Sequence, residues 1–193
     1  VFVVLDLLLF YVFFEAVLIP LFVLVGVWGA SADRIRASFL LFLYTLFGSL
    51  FMLLAFLVIF YHVGSTDFEV LSLADISFEH QRWLWLAIFL SLAIKTPLLP
   101  VHIWLSRAHV QASVAVSMIL AGLILKLATY GYIRILIPFL PEATSYFAPL
   151  VQTICVVTLV YSSLTTLRQT DFKVLIAYSS IAHMAVVVIG LFS

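Results

Sequence analysis

The sequence predicts an all-α membrane protein, and composition, hydropathy and patterning carry that prediction. Of its 193 residues, 66% are hydrophobic and only 9% are charged, against about 45–50% and about 25% in ordinary globular domains. The mean hydropathy is +1.30. The apolar residues form long segments rather than short amphipathic stretches. So little polar surface rules out a soluble domain and places the chain in a bilayer.

A helix that crosses a bilayer needs roughly 20 mostly apolar residues, and six segments meet that requirement. They are residues 2–28, 39–61, 83–104, 114–139, 147–167 and 174–192. The third contains Pro97 and Pro100, which remove the amide donors for the carbonyls of Ala93 and Thr96. We therefore expect about six transmembrane helices in a single helical domain over residues 1–193, with the third helix broken at Pro97 and Pro100.

The connections between these segments alternate in charge. They are expected at residues 29–33, 62–82, 106–113, 138–149 and 168–171. Basic residues mark the first, third and fifth, namely Arg34, Arg36, Arg107, Arg168 and Lys173, whereas the second and fourth carry Asp67, Glu69, Asp75, Glu79 and Glu142. By the positive-inside rule, the odd connections face the cytoplasm or the mitochondrial matrix. Because the chain begins and stops in apolar sequence, we expect it to be an internal portion of a longer membrane protein.

Several function classes are disfavoured by the residues present. Nine basic and nine acidic residues leave a net charge of zero, without the basic patch that nucleic-acid binding needs. Cys155 is the only cysteine, which excludes an internal disulfide or an iron–sulfur cluster held by this chain alone. No spacing is typical of a zinc, haem or nucleotide site. We expect no metal and no cofactor in this chain.

Four ionisable residues lie near the middle of predicted membrane segments: Glu15, Lys95, Lys126 and His183. Each costs on the order of 2.5–3.5 kcal/mol at the centre of a spanning helix. One reading is that Glu15 and a lysine form a structural ion pair that fixes helix register. That reading leaves a second lysine and a histidine unexplained, so a hydrated track that serves all four is more economical.

The local sequence around these residues favours the same interpretation. Lys95 adjoins the predicted break, and Gly122 precedes Lys126 by one turn, which predicts a recess beside the ammonium. Ser179 and Ser180 share a face with His183 and are candidate partners for its imidazole, although a hydrogen-bonded core histidine has the same pattern. Two further histidines, His102 and His109, are candidates for proton uptake at the positive side, or interfacial residues without a role.

Seven stretches together resemble the chain 4 family of antiporter-like membrane subunits in NADH:ubiquinone oxidoreductase, respiratory complex I. The stretches are residues 13–20, 42–49, 95–105, 120–126, 130–131, 163–169 and 178–184. The resemblance implies a portion of a larger antiporter-like bundle that moves protons, driven by electron transfer in other subunits. It implies that Glu15 and Lys95 match the family's carboxylate–lysine pair, that Lys126 matches its central lysine, and that His183 matches an axial histidine.

The resemblance also implies location, cofactors and partners. It is closest to mitochondrially encoded versions, so the mitochondrial inner membrane is expected, with a bacterial plasma membrane as the alternative. NADH, FMN, iron–sulfur clusters and ubiquinone would belong to the parent complex, with bound lipid as a further candidate ligand. Expected partners are neighbouring antiporter-like subunits, other membrane subunits and membrane lipids, and no nucleic acid.

Five positions depart from the family pattern. Pro, Glu, Pro and Gly are usual where this chain has Ser106, Gln111, Ser113 and Ala115, and Gly is usual at Ala128. None of these departures removes an intramembrane charge. Two other functions stay open on the residues alone: a cation/proton antiporter subunit of the multi-chain type, and a structural scaffold whose buried charges fix helix packing.

Overall fold

The computed structural model describes residues 1–193 as helices joined by short connections, without a β-sheet. The helices are α1 (Leu7–Ala16), α2 (Leu18–Trp28), α3 (Arg34–Val63), α4 (Phe68–Ser72), α5 (Phe78–Lys95), α6 (Ile103–Gln111), α7 (Val114–Ile119), α8 (Leu125–Gly131), α9 (Ile137–Phe139), α10 (Pro141–Leu167) and α11 (Phe172–Leu191). The prediction of an all-α membrane protein is confirmed.

Five helical stretches are long and apolar enough to cross a membrane: Leu7–Trp28, Arg34–Val63, Val114–Phe139, Pro141–Leu167 and Phe172–Leu191. The predicted segment at residues 83–104 is not among them, because it is split and because α5 carries Glu79, Arg82 and Lys95. Helix α5 ends at Lys95, α6 begins at Ile103, and Pro97 and Pro100 both lie between the two. This part of the chain is a discontinuous helix.

The first segment contains a second interruption, which the sequence analysis did not anticipate. Helix α1 ends at Ala16 and α2 begins at Leu18, with Val17 between them. Pro20 lacks an amide hydrogen for the carbonyl of Ala16, four residues earlier, and its ring crowds that carbonyl. The interruption, at Val17, therefore falls two residues after Glu15.

Two predicted connections are wrong, because most of their residues are helical. In residues 138–149, α10 already begins at Pro141, since proline is well suited to the first turn, where no intrahelical amide bond is needed. Pro149 then lies inside that helix. In residues 106–113, helix α6 continues to Gln111, and the Ser113 hydroxyl caps α7 through the Val116 amide.

The stretch Val114–Phe139 is a single apolar segment whose helical hydrogen bonding changes twice. Residues Leu120–Ile124 and Tyr132–Leu136 form π-helical turns. Such turns add a residue to one helical loop and are frequent at functional sites. The first π-helical turn directly precedes the helix that carries Lys126.

The even-numbered and odd-numbered connections are gathered at opposite ends of the bundle. At one end, the Ala30 amide donates to the Gln111 carbonyl at 2.9 Å, and Lys173 Nζ donates to the Ala112 carbonyl at 2.9 Å. These bonds tie the first, third and fifth connections together, as expected from their shared positive charge. At the other end, the Ala143 amide donates to Gln81 Oε1 at 3.4 Å, which joins the second and fourth connections.

The buried core has two parts. The larger is built around Trp85 and includes Phe14 and Tyr132, and the smaller includes Trp104. Val17, at the interruption of the first segment, packs against both parts. The α1–α2 interruption therefore lies where the two parts of the core meet.

Candidate functional site

Glu15 and Lys95 form the only ion pair within the chain, with 3.7 Å between Lys95 Nζ and Glu15 Oε1. Glu15 lies in the last turn of α1 and Lys95 is the last residue of α5. The lysine is almost fully buried, at 1% exposure. The sequence predicted this pairing of residue types, and the structure brings the two together at the ends of two interrupted helices.

Phe14 contacts the same ammonium in two ways. Lys95 Nζ donates to the Phe14 carbonyl oxygen at 2.9 Å and lies 3.1 Å from the centroid of the Phe14 ring. Carbonyls in the last turn of a helix lack some of their intrahelical donors, so the interruption beside Val17 makes this acceptor accessible. The cation is thus held by a carboxylate, a carbonyl and a π-face.

Groups of the protein itself satisfy the backbone at the α5–α6 break. The Ala93 carbonyl, which Pro97 deprives of its usual donor, accepts from the Leu98 amide at 3.0 Å. Trp104 Nε1 donates to the Ile94 carbonyl at 2.8 Å, and the Leu99 amide donates to Thr158 Oγ1 at 3.1 Å. The break is therefore a fixed structure beside Lys95.

Lys126 lies apart from this pair. Its side chain is exposed, and its ammonium donates to the Ala121 carbonyl at 2.7 Å. That carbonyl belongs to the first π-helical turn, Leu120–Ile124. Gly122 is exposed and has no neighbouring atom where a side chain would lie. The recess beside the ammonium stays a prediction.

His183 is also exposed, on the surface of α11. It lines a cavity of about 310 Å³ with polar side chains that include Ser163, Thr166 and Ser179. The Ser180 hydroxyl donates to the Ala177 carbonyl at 2.7 Å. Within this chain, the structure therefore joins Glu15 with Lys95 but places Lys126 and His183 outward.

The two candidates for proton uptake are buried. His102 and His109 are 5% and 4% exposed. His102 packs against the rings of Tyr161 and Tyr178, with centroid distances of 5.4 and 6.2 Å. One nitrogen of each imidazole, Nδ1 of His102 and Nε2 of His109, makes no hydrogen bond within the chain. Each histidine thus retains one buried nitrogen without a hydrogen-bond partner in the chain.

Comparison with known proteins decides the family. Residues 5–193 match the model of the NADH:quinone oxidoreductase/Mrp antiporter transmembrane family. The chain belongs to this family. It is 77% identical, over all 193 residues, to NADH-ubiquinone oxidoreductase chain 4 of Mycosarcoma maydis. The chain spans 40% of the length of that relative.

Two solved structures of the same NADH:quinone oxidoreductase/Mrp architecture resemble the chain closely. Respiratory complex I from Thermus thermophilus matches with a TM-score of 0.91 and 34% identity, over 97% of this chain and 40% of that one. The Mrp complex from Dietzia sp. DQ12-45-1b matches with a TM-score of 0.82 and 25% identity, over 97% of this chain and 35% of that one. The fold is therefore that of antiporter-like membrane subunits.

Within this member of the NADH:quinone oxidoreductase/Mrp antiporter family, sequence reasoning missed the role of Phe14. The chain has 18 phenylalanines, and an aromatic residue on an apolar helix is ordinarily a core residue. One signal was available: Phe14 is adjacent to Glu15 and lies six residues before a proline.

The chain groups no three His, Cys, Asp or Glu side chains that could hold a metal ion.

Proposed function

We propose that this chain is part of a proton-translocating membrane subunit of respiratory complex I. The buried Glu15–Lys95 pair at two helix interruptions is the observation that carries the proposal. A lysine that is desolvated and held by one carboxylate exchanges its proton according to the position of that carboxylate. This arrangement suits a gate for protons better than a fixed structural bridge.

In this mechanism Glu15 gates, Lys95 takes up a proton, Lys126 relays it and His183 passes it onward. His102 and His109 supply protons from the positive side. When the Glu15 carboxylate lies close to Lys95, the ammonium keeps its proton, and when the carboxylate withdraws, desolvation favours release. The Phe14 carbonyl, at 2.9 Å from Lys95 Nζ, keeps the ammonium in place while the carboxylate moves.

Coulomb's law gives the scale of this gate. With an effective dielectric constant near 20, separating a pair of unit charges from about 4 to about 10 Å weakens their attraction by about 2.5 kcal/mol. Carrying one charge against about 150 mV requires about 3.5 kcal/mol. One gate is the right order of magnitude but falls short alone, so several coupled sites and energy from partner subunits are needed.

The chain acts as one part of a larger translocase. NADH, FMN, iron–sulfur clusters and ubiquinone are placed in other parts of complex I, and this chain contributes no redox centre. Its partners are neighbouring antiporter-like subunits, other membrane subunits and membrane lipids. The 193 residues form one helical domain of the subunit, located in the mitochondrial inner membrane. The high identity to a complex I chain 4 supports these assignments.

The test replaces Lys95 with methionine, which keeps the length of the side chain and removes its charge. In the assembled complex, reconstituted in vesicles, Lys95→Met should lower the number of protons moved per electron while NADH oxidation by the redox subunits continues. Glu142→Gln is the matched control, because Glu142 is an exposed charge in the first turn of α10. An unchanged proton-to-electron ratio in the Lys95→Met complex would contradict the proposal.

A second function, cation/proton antiport in a multi-chain antiporter, is favoured by the likeness to the Mrp complex. Sodium-dependent transport without a quinone reductase partner would support it. The greater similarity to complex I, with 34% identity and a TM-score of 0.91 against 25% and 0.82, makes it the weaker candidate.

A further inference from the structure

The Glu15 carboxylate is not fully engaged by Lys95. The distance of 3.7 Å between Glu15 Oε1 and Lys95 Nζ is longer than the roughly 2.7–2.9 Å of a charge-assisted hydrogen bond. Glu15 Oε1 is buried and accepts no hydrogen bond within the chain. A buried carboxylate oxygen without a donor is costly, so a small movement that brings it to a donor lowers its free energy.

Ser49 is a second donor beside the carboxylate. It lies on α3 and is fully buried. Its side chain is a hydrogen-bonding neighbour of both the Glu15 carboxyl group and the Tyr11 hydroxyl. Tyr11 precedes Glu15 by four residues on α1, so these two side chains share one face of that helix. The carboxylate therefore has hydroxyl neighbours from α1 and α3 in addition to the ammonium from α5.

The single hydrogen of the Ser49 hydroxyl is turned toward its own helix. Ser49 Oγ donates to the Leu46 carbonyl at 2.9 Å. Because α3 is continuous from Arg34 to Val63, the same carbonyl also accepts from the helix amide four residues later. A serine hydroxyl can rotate to another acceptor, and the Leu46 carbonyl keeps its amide donor when it does. The donor is therefore free to change partners at little cost.

Close packing of α3 against α5 holds Ser49 beside the ion pair. A Cβ atom at Gly48 would lie 2.7 Å from Ile94 Cδ1 and 3.4 Å from Ser91 Cα. Ile94 directly precedes Lys95. Glycine at position 48 thus permits a close approach of the two helices next to the lysine. With the helices in contact here, rotation of side chains alone is sufficient for the carboxylate to exchange one partner for the other.

We propose that Ser49 is the positioning residue that receives the Glu15 carboxylate when it withdraws from Lys95. Rotation of the Ser49 hydroxyl from the Leu46 carbonyl to the carboxylate replaces the contact with the ammonium by a charge-assisted hydrogen bond. The desolvated ammonium then loses its only carboxylate partner in the chain, which favours release of its proton. This role rests on the proposed function, because a gate needs a second stable position for its carboxylate.

The test compares three variants of the intact complex in vesicles. Ser49→Cys keeps the shape of the side chain but replaces the hydroxyl by a weak donor. Ser49→Thr keeps the hydroxyl and adds a methyl group. Ser38→Cys is the matched control, because Ser38 is also buried on α3 and donates to the Ile35 carbonyl at 2.8 Å. It lies about 16 Å from Ser49 along the helix.

Proton translocation should slow about tenfold or more in Ser49→Cys, whereas Ser49→Thr and Ser38→Cys should stay near the wild-type rate. Rescue by threonine assigns the effect to the hydroxyl, because threonine changes the volume of the side chain more than cysteine does. Equal slowing in Ser49→Cys and Ser49→Thr would assign the effect to packing and overturn the role of Ser49. An unchanged rate in Ser49→Cys would overturn it as well.

The position of the carboxylate gives a measurement that is independent of translocation. In the Lys95→Met complex, which lacks the ammonium, an electron cryo-microscopy map should show the Glu15 carboxylate within about 3 Å of Ser49 Oγ. A carboxylate elsewhere would overturn the role of Ser49. A normal proton-to-electron ratio in Lys95→Met would contradict the proposed function and, with it, this role. A lowered ratio in Lys95→Met together with a normal rate in Ser49→Cys would contradict the role of Ser49 alone.

Discussion

The Glu15–Lys95 pair and the separate Lys126 place the same kind of residue, a lysine, in opposite surroundings. Lys95 is 1% exposed and has a carboxylate, a carbonyl and an aromatic ring within 4 Å. Lys126 is exposed and has one carbonyl acceptor. The comparison shows that a charge in a membrane segment is not by itself a buried charge. A charge that finds its partners within this chain is buried, whereas a charge with few partners is exposed on the surface.

The relatives suggest what the outward residues face. The chain spans 40% of the length of the curated relative with which it shares 77% identity, so most of that relative has no counterpart in these residues. An exposed ammonium or imidazole at membrane depth is tolerated when it faces a bundle interior or a water-filled cavity. We therefore expect Lys126 and His183 each to face other polypeptide or water in an assembled membrane complex.

The largest effect is expected from breaking the buried pair on one side only. Glu15→Ala should destabilise the assembled subunit by about 3–5 kcal/mol, because it leaves the Lys95 charge buried without its carboxylate. The double variant Glu15→Ala, Lys95→Met should recover much of that loss while proton translocation stays absent. The measurement is the midpoint of thermal disassembly together with the proton-to-electron ratio.

Recovery of proton translocation in the double variant would show that the pair is only structural. A stability loss in Glu15→Ala that the second substitution does not relieve would show that Lys95 is not the group left unpaired.

Lys126→Ala separates function from stability. Since the Lys126 ammonium is exposed and bonds only to the Ala121 carbonyl, its removal should change assembly by no more than about 1 kcal/mol. Coupled proton translocation should be abolished if Lys126 relays protons. The proton-to-electron ratio in vesicles measures this. A normal ratio in a fully assembled Lys126→Ala complex would remove Lys126 from the relay.

Phe14→Leu tests the π-face beside Lys95. Leucine keeps an apolar side chain and the backbone carbonyl but removes the ring 3.1 Å from the ammonium. Desolvated cation–π contacts contribute about 2 kcal/mol, so the variant should lose about that much stability and translocate protons more slowly. Phe10→Leu is the control, because Phe10 is equally buried on α1 and stacks on Phe14 without contacting Lys95. Equal losses in both variants would assign the effect to packing alone.

The accuracy of the sequence predictions follows from how local each signal is. Length and hydropathy are properties of one segment, so the stretch Val114–Phe139 was predicted with its observed bounds. The connection at residues 138–149 was predicted wrongly because Pro141 and Pro149 read as turn residues, whereas one starts α10 and the other lies within it.

The geometry of the candidate site depends on tertiary contacts more than the membrane segments do, so less of it could be predicted. Glu15 and Lys95 could be identified from the sequence, because a charged residue in an apolar membrane segment costs free energy and needs a partner. The outward direction of His183 could not be predicted, since it depends on how α11 packs against α10. Similarly, Pro20 explains the interruption at Val17, but the use of the Phe14 carbonyl by Lys95 depends on how α1 packs against α5.

The smallest effect is expected at Asp6. This residue lies just before the first membrane-spanning stretch, Leu7–Trp28, and carries a carboxylate that is only partly buried. Asp6 caps α1 through the Leu9 amide at 2.9 Å and accepts a hydrogen bond from the Thr66 hydroxyl. Partial burial acts to raise the pKa of this carboxyl, but the hydrogen bonds from Thr66, Leu9 and Leu8 together outweigh it and hold the pKa below its usual range. The charged form is therefore favoured by folding.

A lowered pKa fixes the sign of the pH dependence. The contribution of Asp6 is fully present above its unfolded pKa of about 3.9 and is lost as the pH falls through the folded value. Asp6→Asn keeps a capping oxygen but removes the charge. At pH 6 it should reduce the stability of the assembled subunit by less than about 1 kcal/mol, because solvent screens the site. The midpoint of thermal disassembly should therefore fall only slightly. The difference from wild type should shrink as the pH falls below about 3.9 and vanish below the folded pKa. A difference that stays constant over this range would mean that the Asp6 side chain stabilises the helix end by shape alone, without its charge.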